Sequence, residues 1–277
     1  MRRLRFALLG MLIRGADRQN YLGATWIRSL LSLTPSSKKE AMALRILSLS
    51  PHYFFRDPDR HGPRISTARF LEMERKRNDD ARGEICEQVL RPYLKNNYAV
   101  LDYGCGPGFL ARHVSRYVDK VHGCDISPGT IACARIINDA ENLVYSVVSG
   151  GNPAPVKEVS LDLIYSFAVI QHISDDLFRK LLGEFFRWLK PGGRGVLHIV
   201  VDDEGWRTEK EWREDGSFLG KIKYRYGLQC FGRSGEAVKG MITTAGFIDL
   251  KRLELADICD INDDVAEQSL FVFMKPD

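Results

Sequence analysis

The stretch VLDYGCGPG, residues 100–108, places Gly104, Gly106 and Gly108 at alternate positions directly after a short apolar run that ends in Asp102 and Tyr103. The run reads as a buried strand, and the glycines read as a tight turn into a helix. Glycine suits such a turn because it adopts left-handed backbone angles and lets a ligand approach the main chain. The helix that follows offers free N–H groups and the positive end of its dipole to an anionic group. Seventeen residues after Gly108, in VHGCDIS, Asp125 ends a second predicted strand. A carboxylate there can accept hydrogen bonds from both hydroxyls of a nucleoside ribose.

Outward from this turn, short apolar strands alternate with helical stretches, the pattern of a doubly wound parallel sheet. Strands are predicted at 98–103, 120–124, 143–148, 161–166, 195–201, 248–255 and 269–274, and helices at 108–117, 129–142, 176–188 and 234–245. No helical stretch separates the last two strands, which predicts an antiparallel pair at one edge. The expected fold is therefore α/β: a seven-stranded, mostly parallel sheet over 96–277, with its last strand antiparallel. Residues 1–95 read instead as a helical extension. Leu22, Trp26, Ile27, Leu30 and Leu31 share a helical face, and Thr34-Pro35 breaks that helix. Ser37 and Glu40 have the spacing of a capping box for a helix ended by Pro51, and further helices are predicted at 65–76 and 81–94.

A glycine turn followed by a second-strand acid also fits a dinucleotide dehydrogenase. Two details separate the readings. The dinucleotide fingerprint wants its third glycine where this chain has Phe109. Asp102, at the end of the first strand, would repel a pyrophosphate, whereas it would attract the α-ammonium of S-adenosylmethionine (SAM).

These stretches resemble the class I, Rossmann-like, SAM-dependent methyltransferase superfamily over about residues 85–275. The family's first motif is similar to VLDYGCGPG and its second-strand acid to Asp125. The segment DLIYSFAVIQHI, 162–173, resembles its fourth-strand stretch, with His172 as the histidine. LKPGG, 189–193, and AGF, 245–247, resemble two further signatures. The resemblance implies SAM as cofactor, S-adenosylhomocysteine as product, and a cofactor site of Asp102, Gly104, Cys105, Gly106, Gly108, Asp125, Ile126 and Phe167. The family often carries Gly-Asp after the third strand to receive the adenine amino group. This chain reads SGGNP, which puts Asn152 in the acid's place, where its carbonyl can accept the same bond.

Methyl transfer from a sulfonium needs alignment above all, and a general base where the acceptor is a hydroxyl or amine. His172 is the candidate base, because it follows the fourth strand on the ligand-binding side of the sheet. The competing reading is a histidine that packs or orients a loop. Residues 202–232, with Trp206, Trp212, Tyr224, Tyr226 and Phe231, are long and aromatic enough for a lid over the acceptor. Tyr53, in HYFFR, is a candidate cover for the cofactor.

Composition narrows the classes. The chain has 277 residues, 44% hydrophobic and 27% charged, enough for one large domain or a domain with a lobe. Its six cysteines form no C-x-x-C pair and no zinc spacing, so no metal is expected, and free thiols in a reduced, cytoplasmic compartment are. No run approaches a membrane span. Residues 1–95 carry 19 Lys+Arg against 10 Asp+Glu, while the rest carries 21 against 26. The basic third suggests peripheral membrane contact or nucleic acid, against the simpler reading of a solvated face. Arg2 to Arg14 flanks an apolar run of only eight residues with no small-x-small cleavage site close behind it, which argues against a signal peptide, and Leu4, Leu8 and Leu12 lie on one helical face; an organelle transit peptide stays open. The leading expectation is methyl transfer to a small-molecule, glycan or lipid-intermediate acceptor at oxygen. The alternatives are an RNA or protein methyltransferase and a nonenzymatic SAM-binding scaffold. YSFAVI lacks the Pro-Pro motif of amino-group DNA and RNA methylases.

Overall fold

The computed structural model describes residues 22–24, 26–50, 53–54, 61–62, 64–149, 154–218, 220–221, 230–259 and 268–277. Leu4, Leu8, Leu12, Asn152, Tyr224 and Tyr226, all singled out above, lie outside them. Seven strands form one sheet: β1 (Ala99–Tyr103), β2 (Lys120–Asp125), β3 (Leu143–Val147), β4 (Leu161–Ser166), β5 (Leu189–Val200), β6 (Ile248–Glu254) and β7 (Gln268–Met274). Their order is β3-β2-β1-β4-β5-β7-β6. β1 to β5 pair in parallel, and β7 runs antiparallel to both β5 and β6. The expected α/β fold, with an antiparallel pair closing one edge, is what forms.

The chain winds from β1 outward through β2 to β3, then returns to lay β4 on the other side of β1. That reversal opens a crevice at the carboxyl ends of β1 and β4, where a doubly wound sheet binds its ligands. Both faces of the sheet are covered, so the central strands are nearly all apolar. Val100, Leu163, Tyr165 and Val196 pack on one face; Leu101, Ile164, Leu197 and Phe271 pack on the other.

The helices between strands are α4 (Phe109–Val114), α5 (Pro128–Ile137), α6 (Asp175–Trp188) and α8 (Gly235–Thr244), with α7 (Glu209–Glu214) in the stretch after β5. Ser127, Ser174 and Ser234 cap α5, α6 and α8 by accepting a main-chain N–H three residues on.

The N-terminal helices are α1 (Trp26–Leu33), α2 (Ser36–Leu47) and α3 (Thr67–Glu84). Three expectations about them are corrected. The Ser37–Glu40 capping box does not form, because α2 starts at Ser36 with Pro35 as its cap and Glu40 pairs with Arg75 on α3. The face expected on α1 splits: Ile27 and Leu31 are buried, whereas Trp26 and Leu30 are exposed. The two helices expected at 65–76 and 81–94 are one, α3, continued by a π-turn at Ile85–Leu90 and a 3-10 turn at Arg91–Tyr93. No breaker stands between Lys76 and Ala81, so nothing interrupts the backbone ladder. α1 and α2 pack on α5 and share a core with Phe109, Cys133 and Ile137.

Candidate functional site

Gly104, Gly106 and Gly108 all have left-handed backbone angles, with φ of 78°, 52° and 83°. A Cβ at Gly104 would lie 2.3 Å from the Val169 side chain, and one at Gly108 would lie 2.1 Å from the Tyr145 hydroxyl. Protein therefore fills the space beside those two glycines, and the ligand-approach reason does not apply to them. At Gly106 the nearest atom is 3.3 Å away, on the ring of Tyr53. The candidate cover residue thus sits on the middle glycine, its hydroxyl 3.4 Å from Thr130 Oγ1.

The turn is tied down by main-chain bonds. Gly104 and Cys105 both donate to the Cys124 carbonyl, at 2.7 and 2.9 Å. Gly106 N–H donates to Asp125 Oδ2 at 3.1 Å, and Ser127 N–H donates to Asp125 Oδ1 at 2.8 Å. Each carboxylate oxygen keeps a second lone pair for a hydroxyl. Burial pushes Asp125 up to about 6, against the lowering by those two N–H groups. Ile126, half-buried, follows it directly. Cys105 is buried and turns its thiol toward Gly123 and the Gly106 carbonyl, so its main chain faces the turn and its side chain the core.

Asp102 is also buried, and its Oδ2 has no hydrogen-bond partner. Burial pushes its carboxyl up to about 8; the neighbouring Tyr165 hydroxyl and the Arg82 cation on α3 pull the other way. That hydroxyl itself is buried and without an ordinary hydrogen bond. Arg82 makes no ion pair among the described residues. An orphaned acid beside an anchored glycine turn fits a ligand that brings a cation. SAM does so through its α-ammonium, and Asp102, the Gly104–Gly106 main chain and Asp125 are the groups that would hold it.

Phe167 stacks on His198 of β5, with ring centroids 5.5 Å apart. Ala168 N–H donates to His198 Nδ1 at 3.0 Å, and His198 Nε2 faces Gln268 Oε1 at 2.8 Å. Burial pulls His198 down to about 4, so the ring is neutral with its hydrogen on Nε2. Phe167 is thus a wall held by an imidazole. Sequence reasoning passed over His198, whose only signal is a histidine inside the apolar GVLHIV.

His172 sits in the 3-10 turn Ile170–His172, on the same loop as the Val169 that touches Gly104. Its Nδ1 is 3.5 Å from Cys230 Sγ in the post-β5 insertion. Burial pushes that thiol up to about 11, so it is uncharged. The ring serves as a base at Nε2 only in the tautomer with its hydrogen on Nδ1, donated toward the sulfur.

Arg233 fastens the insertion to this loop. Its side chain is buried, with Nε 2.6 Å from Asp175 Oδ1, Nη1 donating to the Ile170 carbonyl at 3.0 Å and Nη2 to the Ile173 carbonyl. Phe231 N–H donates to the Gln171 carbonyl, and Glu209 accepts from Asp175 N–H. Of the predicted lid aromatics, Phe231 is buried in this seam and Trp212 lies under Arg207. Arg233 gave no signal in a sequence rich in arginine. An open depression between α3 and α4, walled by Asp79 and His113, shares no residue with this site.

Residues 100–193 match the family model of a methyltransferase domain. The phosphoethanolamine N-methyltransferase of Plasmodium falciparum is 31% identical over 125 residues, 42% of this chain and 45% of that protein. An S-adenosyl-L-methionine-dependent Diels-Alderase of Talaromyces variabilis is 27% identical over 164 residues, 57% of this chain and 56% of that protein. The chain thus spans about half the length of these curated relatives. A phosphoethanolamine N-methyltransferase 2 of Haemonchus contortus, solved with S-adenosyl-L-methionine, shares the fold with a TM-score of 0.52 at 20% identity. That match covers 92% of this chain and 61% of the other.

Proposed function

This chain belongs to the class I SAM-dependent methyltransferase superfamily, and we propose that it moves the methyl group of SAM to a hydroxyl of a compact acceptor: a small molecule, a glycan or a lipid intermediate. The observation that carries the reading is the pair of buried acids at adjacent strand ends. Asp102 keeps its Oδ2 without a hydrogen-bond partner, and Asp125 braces the glycine turn. When bound, SAM supplies an activated methyl group. The chain supplies the rest. Asp102 and Asp125 orient the cofactor's two polar ends, and Tyr53 covers the middle glycine. The loop from Val169 to His172 brings an imidazole to the acceptor side, where it takes the hydroxyl proton. The reduced thiols fit a cytoplasmic setting. A second reading, an amine acceptor, is favoured by the phosphoethanolamine N-methyltransferase relative.

The test is label transfer from methyl-labelled SAM to hydroxyl- and amine-bearing acceptor pools. Transfer to a hydroxyl is expected, with His172→Gln lowering kcat about a hundredfold while SAM affinity holds. Absence of transfer to every pool would overturn the reading.

A further inference from the structure

We propose that the outward face of α1 docks on an anionic lipid bilayer. α1 exposes apolar surface on its outward side. Ile27 and Leu31 face inward to α2 and α5. Trp26, Leu30 and Leu33 stand at i, i+4 and i+7 on a neighbouring stripe, 44%, 37% and 83% exposed. The other large exposed hydrophobics among the described residues sit singly on separate elements. Scattered ones need no explanation, whereas a contiguous stripe on one helix does.

Charge identifies the occupant. No acidic residue lies between Leu22 and Lys39, and the first one, Glu40, is paired with Arg75. Lys38 and Arg45, on the adjoining α2, are exposed and make no ion pair among the described residues. Over residues 1–39 eight Lys and Arg stand against Asp17 alone. RNA would engage the cations and leave Leu30 and Leu33 in water, and an apolar protein groove would take the leucines and leave the cations idle. A bilayer with anionic headgroups uses both. At eight residues α1 is far too short to cross a membrane and lies in the interface. The contact falls beside the cofactor site, because the Leu22 carbonyl accepts the Gly129 N–H at 2.9 Å, four residues past Asp125.

The experiment is flotation of the full chain with phosphatidylcholine vesicles, with and without roughly one-third phosphatidylglycerol, at low and high salt. Binding is expected on the anionic vesicles, weakened by salt and by Lys38→Glu. The pair Leu30→Gln with Leu33→Gln should weaken it about tenfold or more. S-adenosylhomocysteine affinity, measured on the same variants, should stay unchanged, which separates this test from that of the cofactor reading. Three results would overturn the proposal: no binding to anionic vesicles at low salt, equal binding by the leucine variant, or a dimer in solution that the leucine variant dissociates.

Discussion

At the β1–β2 end of the site the main chain holds the structure. Gly104, Cys105 and Gly106 donate to the Cys124 carbonyl or to Asp125, and Tyr145 and Val169 fill the space beside two of the glycines. At the β4 end side chains do it. Arg233 spans Asp175 and two carbonyls, Glu209 reaches Asp175 N–H, and Cys230 meets His172. The first arrangement is rigid and specified by local backbone shape. The second joins segments some sixty residues apart, and it meets the first where Val169 lies against Gly104. The contrast suits a site in which one half grips an invariant cofactor and the other adapts to an acceptor.

The largest effect is expected from Gly108→Val. It adds a branched side chain where φ is 83° and the Tyr145 hydroxyl is in the way. Destabilisation of about 5 kcal/mol should follow, read by urea unfolding, because both strain and overpacking are imposed. Stability near wild type would show that the turn is not rigid. Arg233→Met should come next, at about 3 kcal/mol, since it leaves Asp175 and two carbonyls without a donor. The diagnostic is the split. S-adenosylhomocysteine affinity should hold within about twofold while turnover drops at least tenfold, because the main-chain bonds that anchor the glycine turn do not run through this seam. Equal losses in both would dissolve the distinction between the halves.

Asp102→Asn tests the cofactor half by pH. The folded carboxyl titrates near 8, above the ordinary carboxylate range. Between about pH 4 and 8 the unfolded chain releases this proton and the folded chain keeps it, so the residue's contribution to stability falls as pH rises through that window. The Asn variant lacks the slope. It should match wild type near pH 4 and gain on it by about 1.4 kcal/mol per pH unit as pH rises through that window, while binding the cofactor more weakly. A constant difference across pH would mean that Asp102 is ionised in the free protein.

Much of the cofactor half was legible because its determinants are local. Alternating glycines after an apolar run specify a turn, and Asp125 stands at the end of a strand whose apolar pattern marks it. The strands are legible to within a residue or two, except that β5 begins six residues early, at Leu189, because the LKPGG stretch itself pairs with β4 through Leu189 and with Lys275, just past β7, through Gly192 and Gly193. The acceptor half was opaque for the opposite reason. Arg233, Glu209 and His198 matter through partners distant in sequence, and nothing about an arginine at 233 distinguishes it before the chain has folded. The N-terminal helices failed at their details: the Ser37–Glu40 spacing was right for a capping box, but Glu40 found a better partner in Arg75.

The account rests on the glycine turn being a SAM site, and calorimetric titration with S-adenosylhomocysteine, alongside NAD, tests it most directly. One-to-one binding of S-adenosylhomocysteine alone is expected, weakened by about 2–3 kcal/mol in Asp125→Ala through loss of charged hydrogen bonds to the ribose. Binding of NAD instead, or an affinity unchanged by Asp125→Ala, would contradict it.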